Sequence, residues 1–125
     1  MGLFQSGKFK LHSGGKSSFK IECAFLSGGD WQTIASLIAG KLAFKDAVGI
    51  PSGGLKLAEA LKFYRKADDS LPILIVDDVL TTGNSMERYR GKIGGYCVGI
   101  VLFARGKCPW WIIPIFEMNP NFREA

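Results

Sequence analysis

The sequence predicts an α/β fold, a parallel central sheet flanked by helices, and three observations carry that prediction. Short apolar runs rich in β-branched residues recur along the chain, as in Ala47–Ile50, Ile73–Val76 and Tyr96–Ala104. Stretches with helical spacing of apolar residues stand between them. Glycine-bearing turns mark two of the strand-to-helix junctions, at Pro51–Gly54 and Thr81–Ser85. Strands that alternate with helices imply parallel pairing through helical crossovers. The chain has 125 residues, 47% of them hydrophobic, enough to bury one core but not two, so residues 1–125 are expected to form a single domain.

In chain order, Phe19, Ile21, Cys23 and Phe25 alternate with polar residues and read as a strand with one wet face. Ser27–Asp30 is a turn, with Asp30 as the expected N-cap. Trp31, Ile34, Ala35, Ile38 and Leu42 then follow helical spacing, which predicts a helix over about 31–44. Ala47–Ile50 is a short buried strand, and Pro51-Ser52-Gly53-Gly54 a tight loop. Leu55–Tyr64 returns to helical spacing. A strand is expected over 73–77, a helix start over 85–89, and a strand over 96–104. Residues 111–116 complete the set, with Pro114 assigning them to a sheet edge. Ligands of such sheets bind beyond the carboxyl ends of the strands. Three loops are expected there, at 51–54, 77–85 and 105–110.

The most informative run is Ile73-Leu74-Ile75-Val76-Asp77-Asp78-Val79-Leu80-Thr81-Thr82-Gly83-Asn84-Ser85. A buried strand leads into two carboxylates, then into hydroxyls and a glycine before a helix. A loop of that kind offers backbone N–H groups and hydroxyls to an anion at the positive end of a helix dipole. Carboxylates beside a phosphate cradle suit a phosphorylated sugar, whose hydroxyls they can accept directly or through a divalent cation. Acid pairs at strand ends also bind Mg²⁺ in receiver domains, so the full ordered run, not the pair, carries the reading. The loop Val48–Gly54 is the second anion signal, because glycines let backbone N–H groups approach a ligand closely. Lys56 beside it is either a nearby cation or a solvated helix residue.

Composition narrows the partners. Net charge is +5, from 16 basic and 11 acidic side chains, which favours polyanionic ligands. The basic residues are scattered, which suits a pyrophosphate substrate better than nucleic acid. Three cysteines (Cys23, Cys97 and Cys108) without CxxC spacing point to a reducing compartment. No stretch approaches the length of a membrane span, and the first residues lack the apolar core of a signal peptide, so a cytoplasmic location is expected. Met1–Ser6 fits the myristoylation pattern and Gly14–Ser17 resembles the end of a P-loop. Both are accidental matches, the second because Lys10 stands where a glycine is required.

The run 73–85 resembles the phosphoribosyl-pyrophosphate loop of type I phosphoribosyltransferases, and the resemblance continues along most of the chain in the same order. It implies transfer of ribose 5-phosphate from phosphoribosyl pyrophosphate to a nitrogenous base, with Mg²⁺ as cofactor. Asp77 and Asp78 would hold the ribose hydroxyls and possible metal. Thr81, Thr82, Gly83, Asn84 and Ser85 would cradle the 5-phosphate, and Ser52, Gly53 and Gly54 would face pyrophosphate. Phe9–Ser17 is similar to the N-terminal segment of orotate phosphoribosyltransferases, with His12 where that family has a base-contacting lysine. Val101–Gly106 is similar to the strand whose arginine binds the orotate carboxylate; Arg105 keeps the guanidinium, while Ala104 replaces the family's acid. Orotate or a related pyrimidine is therefore the expected base. The family's long mobile loop is missing. Only Lys62–Ser70 occupies its interval, where Arg65 and Lys66 are a remnant or, the favoured reading, solvated helix-end charges. Trp110, Trp111 and Phe116 are expected in core packing or a subunit interface, with base stacking the alternative. A homodimer is expected. The competing class is a catalytically weak regulator of the same fold that binds nucleotide and nucleic acid.

Overall fold

The computed structural model describes residues 26–117. The strand expected at 19–25 and His12 lie outside them. Seven elements follow in order: α1 (Gly28–Ala39), β1 (Asp46–Gly49), α2 (Leu55–Lys62), β2 (Ile73–Leu80), α3 (Asn84–Ile93), β3 (Cys97–Ala104) and β4 (Ile112–Glu117). The four strands form one sheet in the order β1-β2-β3-β4, and every pairing is parallel. The predicted α/β class is therefore observed. Pro114 lies on the edge strand β4, opposite Val101.

Strand alternation divides the core between two faces. Leu74, Val76, Ile100 and Leu102 pack under α1 and α2, against Trp31, Ile34, Ile38, Leu57 and Leu61. Ile75 and Val101 face the other way, against Met86 of α3 and against Trp111 and Ile112. Each such aliphatic side chain, once buried, contributes about 1.5–3 kcal/mol. The central strands read as continuous apolar runs because helices or loop residues cover both sides.

Three boundaries differ from the sequence reading by three residues or more. The first helix starts at Gly28 and stops at Ala39, several residues earlier at both ends. Ser27, not Asp30, is its N-cap: the Ser27 hydroxyl accepts the Asp30 N–H at 3.1 Å, and the Asp30 carboxylate accepts the Ser27 N–H at 2.9 Å. This reciprocal box satisfies two of the donors that a helix start leaves open. Gly40 follows at the other end, and Leu42 packs on the core from beyond the helix. The third difference is β2, which continues past the acid pair to Leu80 because Val79 and Leu80 keep their register with Phe103 and Ala104 of β3.

Candidate functional site

All four strands are parallel, so the loops after β1, β2 and β3 leave the same end of the sheet. The 51–54 loop is tied to β2 through its backbone. Ile50 N–H donates to the Val76 carbonyl at 2.8 Å, and Gly54 N–H donates to the Ile50 carbonyl at 2.8 Å. A Cβ on Gly54 would run into the Val76 carbonyl, and one on Gly49 would meet the Gly54 carbonyl carbon at 2.8 Å. Only glycine permits this approach. The Pro51–Ser52 peptide is cis. Among the described residues, no acceptor takes the N–H groups of Ser52 and Gly53. Ser52 is exposed and Gly54 buried, so the donors line the solvent side of a loop with a fixed base.

The second loop has the same character. Gly83 caps α3 from the left-handed region, at φ 82°, and makes no side-chain cap. Glu87 N–H donates to the Gly83 carbonyl at 3.0 Å and Asn84 N–H to the Thr82 hydroxyl at 3.3 Å. The N–H groups of Gly83, Ser85 and Met86 have no acceptor among the described residues. They sit at the positive end of the helix, where an anion is stabilised. Asp77, Thr81, Thr82, Gly83, Asn84, Ser85 and Met86 surround a concavity of about 40 Å³, the scale of one small polar group rather than a nucleoside. The sequence reading did not include Met86; its signal was position, since the third residue of a helix has an orphan N–H.

The two carboxylates stand between these loops, and both are half-buried. Asp77 Oδ1 accepts the Asp78 N–H at 2.8 Å, and Asp78 Oδ1 accepts the Val79 N–H at 2.7 Å. Burial, reinforced by a hydrogen bond to the neighbouring Asp78 carboxyl, pushes Asp77 up to about 7. Asp77 is therefore close to half-protonated near neutrality.

Arg105 follows the last residue of β3, and the register of Ala104 with Leu80 sets it beside the start of the 81–85 loop. Its side chain is exposed. The rest of the third loop does not stay at this end. Gly99 N–H donates to the Trp111 carbonyl at 2.9 Å, so residues 105–111 cross the sheet to its amino end. There Trp111 is buried, and its Nε1–H donates to Glu87 Oε2 at 2.8 Å. Arg90 lies 4.9 Å from the Trp111 ring centre and 5.1 Å from that of exposed Trp110. Phe116 stacks on its cross-strand neighbour Phe103 at 5.3 Å. Trp111 thus belongs to the core, whereas Phe116, though stacked on Phe103, is exposed. The interval 62–70 is also at the far end: Lys66 N–H donates to the Phe44 carbonyl, just before β1, at 2.9 Å. Arg65 and Lys66 are thus helix-end charges remote from the loops.

A larger hollow of about 570 Å³ lies between α1 and α2, lined in part by Trp31, Lys56 and Phe63. Charge also resolves by region: the first 25 residues carry Lys8, Lys10, Lys16 and Lys20 against Glu22, whereas 26–117 is close to balanced. Among the described residues, no helix is long and apolar enough to cross a membrane, and no three His, Cys, Asp or Glu side chains gather as a metal cluster.

A parallel α/β sheet with two glycine-bearing loops that present unpartnered N–H groups at one end defines the structural class. The solved structure of Leishmania donovani UMP synthase shares this fold, with a TM-score of 0.63 and 16% identity over 93% of the present chain. The chain spans 33% of the length of that protein. No family model matches the sequence, and no curated protein does.

Proposed function

We propose that the chain transfers ribose 5-phosphate from phosphoribosyl pyrophosphate to a nitrogenous base, releasing pyrophosphate. The observation that carries this reading is the pairing of two loops with unpartnered N–H groups, at 51–54 and 83–86, on either side of the Asp77–Asp78 pair. One loop suits the pyrophosphate, the other the 5-phosphate, and the acids suit the ribose hydroxyls between them. Thr81, Thr82, Asn84 and Ser85 add polar side chains around the second loop. The likeness of fold to a protein named UMP synthase agrees with a pyrimidine as the base.

The bond from C1 to pyrophosphate breaks with its electron pair on the leaving oxygen, and a base nitrogen attacks the opposite face. Charge develops on the sugar without a covalent intermediate, so positioning and electrostatics carry the step. Mg²⁺ takes one or two carboxylates together with substrate phosphates and waters, a donor set that this acid pair fits. Its chemistry is charge neutralisation on the departing pyrophosphate, and Asp77 with Asp78 would hold it. Orotate is the base we favour, with Arg105 as partner of its carboxylate and His12 as a further contact from the N-terminal segment. Arg105→Ala should then weaken orotate by about ten- to a hundredfold relative to uracil, the value of a charge-assisted bidentate contact. We place the protein in the cytoplasm as a homodimer.

The test is pyrophosphate release from phosphoribosyl pyrophosphate with Mg²⁺, assayed against orotate, uracil and purine bases. Base-dependent release supports the transferase. Nucleotide binding without release, joined to salt-dependent RNA or DNA binding, would favour the regulator instead.

A further inference from the structure

The two acids do not occupy equivalent places. Asp77 borders the small concavity of the 81–86 loop. Asp78 lies against Gly53 of the 51–54 loop. A Cβ on Gly53 would fall on the Asp78 carboxyl group, meeting its carbon and both oxygens. The carboxylate therefore fills the space beside the Gly53 Cα, and the Val79 N–H fixes its orientation at 2.7 Å. Below it, Gly54 rests on the Val76 carbonyl.

We infer that Asp78 is a positioning residue that braces the 51–54 loop by its shape, while Asp77 is the acid that serves the sugar; this rests on the reading of the two loops given above. The loop has three backbone ties, Ile50 N–H to Val76, Gly54 N–H to Ile50 and Leu55 N–H to the Ser52 carbonyl at 3.2 Å. Between them, the N–H groups of Ser52 and Gly53 have no backbone partner, and the Asp78 side chain stands directly against Gly53. Removing that side chain takes away the contact that holds Gly53 in place, so the aim of the free N–H groups at a pyrophosphate is lost. Charge is not what the brace requires. Asparagine has the same outline and keeps an oxygen for the Val79 N–H.

Calorimetry with inorganic pyrophosphate and with ribose 5-phosphate, each titrated separately into the full chain, tests this. Asp78→Ala should weaken pyrophosphate by about tenfold or more and ribose 5-phosphate much less, while Asp77→Asn should show the reverse preference. Asp78→Asn should restore pyrophosphate binding to within about threefold of wild type, because asparagine keeps the shape and the oxygen for the Val79 N–H that alanine removes. Gly53→Ala should weaken pyrophosphate in the wild type but change it little in Asp78→Ala, where the added methyl finds room; contacting residues couple in this way. If Asp78→Ala loses ribose 5-phosphate and keeps pyrophosphate, or if the two substitutions are simply additive, the brace is overturned while the site reading stands. A folded wild type that binds neither anion would overturn the site reading itself.

Discussion

Gly83 is the position where one methyl group tests the phosphate cradle most directly. It stands at φ 82° and ψ 1°, and a Cβ there would meet only Leu80 Cδ1, at an ordinary 3.5 Å. Space is available, so Gly83→Ala carries the conformational cost alone, about 1–2 kcal/mol for an L-residue in the left-handed region. Asparagine tolerates that region better, and Gly83→Asn should lose less. Urea denaturation reads these differences directly. The functional consequence is separable. An alanine relieves its strain by rotating away from positive φ, and that rotation re-aims the Gly83, Ser85 and Met86 N–H groups. Ribose 5-phosphate at about 100 times its Kd should stabilise the wild type by about 2.7 kcal/mol and the folded alanine variant by clearly less. Alanine and asparagine variants as stable as wild type would refute the conformational argument. Undiminished protection of Gly83→Ala would place the phosphate elsewhere.

Three further outcomes are expected. Asp77 holds its proton to about pH 7 in the folded chain but ionises near the ordinary carboxylate value of 3.8 when unfolded, so the native state binds the extra proton between those limits. Its contribution is fully present below about pH 4 and is lost as pH rises through 7; Asp77→Asn should flatten that slope and exceed wild-type stability near pH 8 in urea titrations. Trp111→Phe removes the 2.8 Å donation to Glu87 and should cost about 1 kcal/mol, with far-ultraviolet circular dichroism unchanged. Gly99→Ala would press a Cβ to 2.8 Å from Ile112 Cγ1 and 2.9 Å from Met86 Cε, an overpacking that should cost about 1–3 kcal/mol in thermal unfolding.

The parallel strands were legible because their signals are local and redundant. Ile73–Val76 is apolar on both faces, and β3 is apolar almost throughout, as a covered sheet requires. Glycines at 53, 54 and 83 marked the loops for the same reason that they shape them. What escaped was set by tertiary contact. The continuation of β2 through two acids depends on pairing with β3, which no property of Val79 or Leu80 announces. Asp30 reads as a cap, but its place in the box is decided by which residue starts the helix. The path of 105–111 across the sheet was hidden because the segment lacks periodicity; its direction follows from Gly99 admitting Trp111. The inequality of Asp77 and Asp78 became visible only once Gly53 was known to lie against one of them.

The edges of the sheet determine how copies of this protein can meet. On β4, the Trp111 carbonyl points to β3, so the backbone groups of Ile112 and Pro114 point outward. Ile112 N–H is already given to the Pro109 carbonyl at 3.1 Å, and Pro114 has no N–H to offer. The opposite edge, β1, has only four residues, and its Ala47 N–H is taken by the Asp46 carboxylate at 2.8 Å. Within the described residues, both margins are thus poor templates for an incoming strand. Growth of the sheet from one molecule into the next, the route toward fibrils, is blunted at each side. Two copies that associate through this unit would have to do so through helices and side chains, leaving the backbone ladder closed on itself.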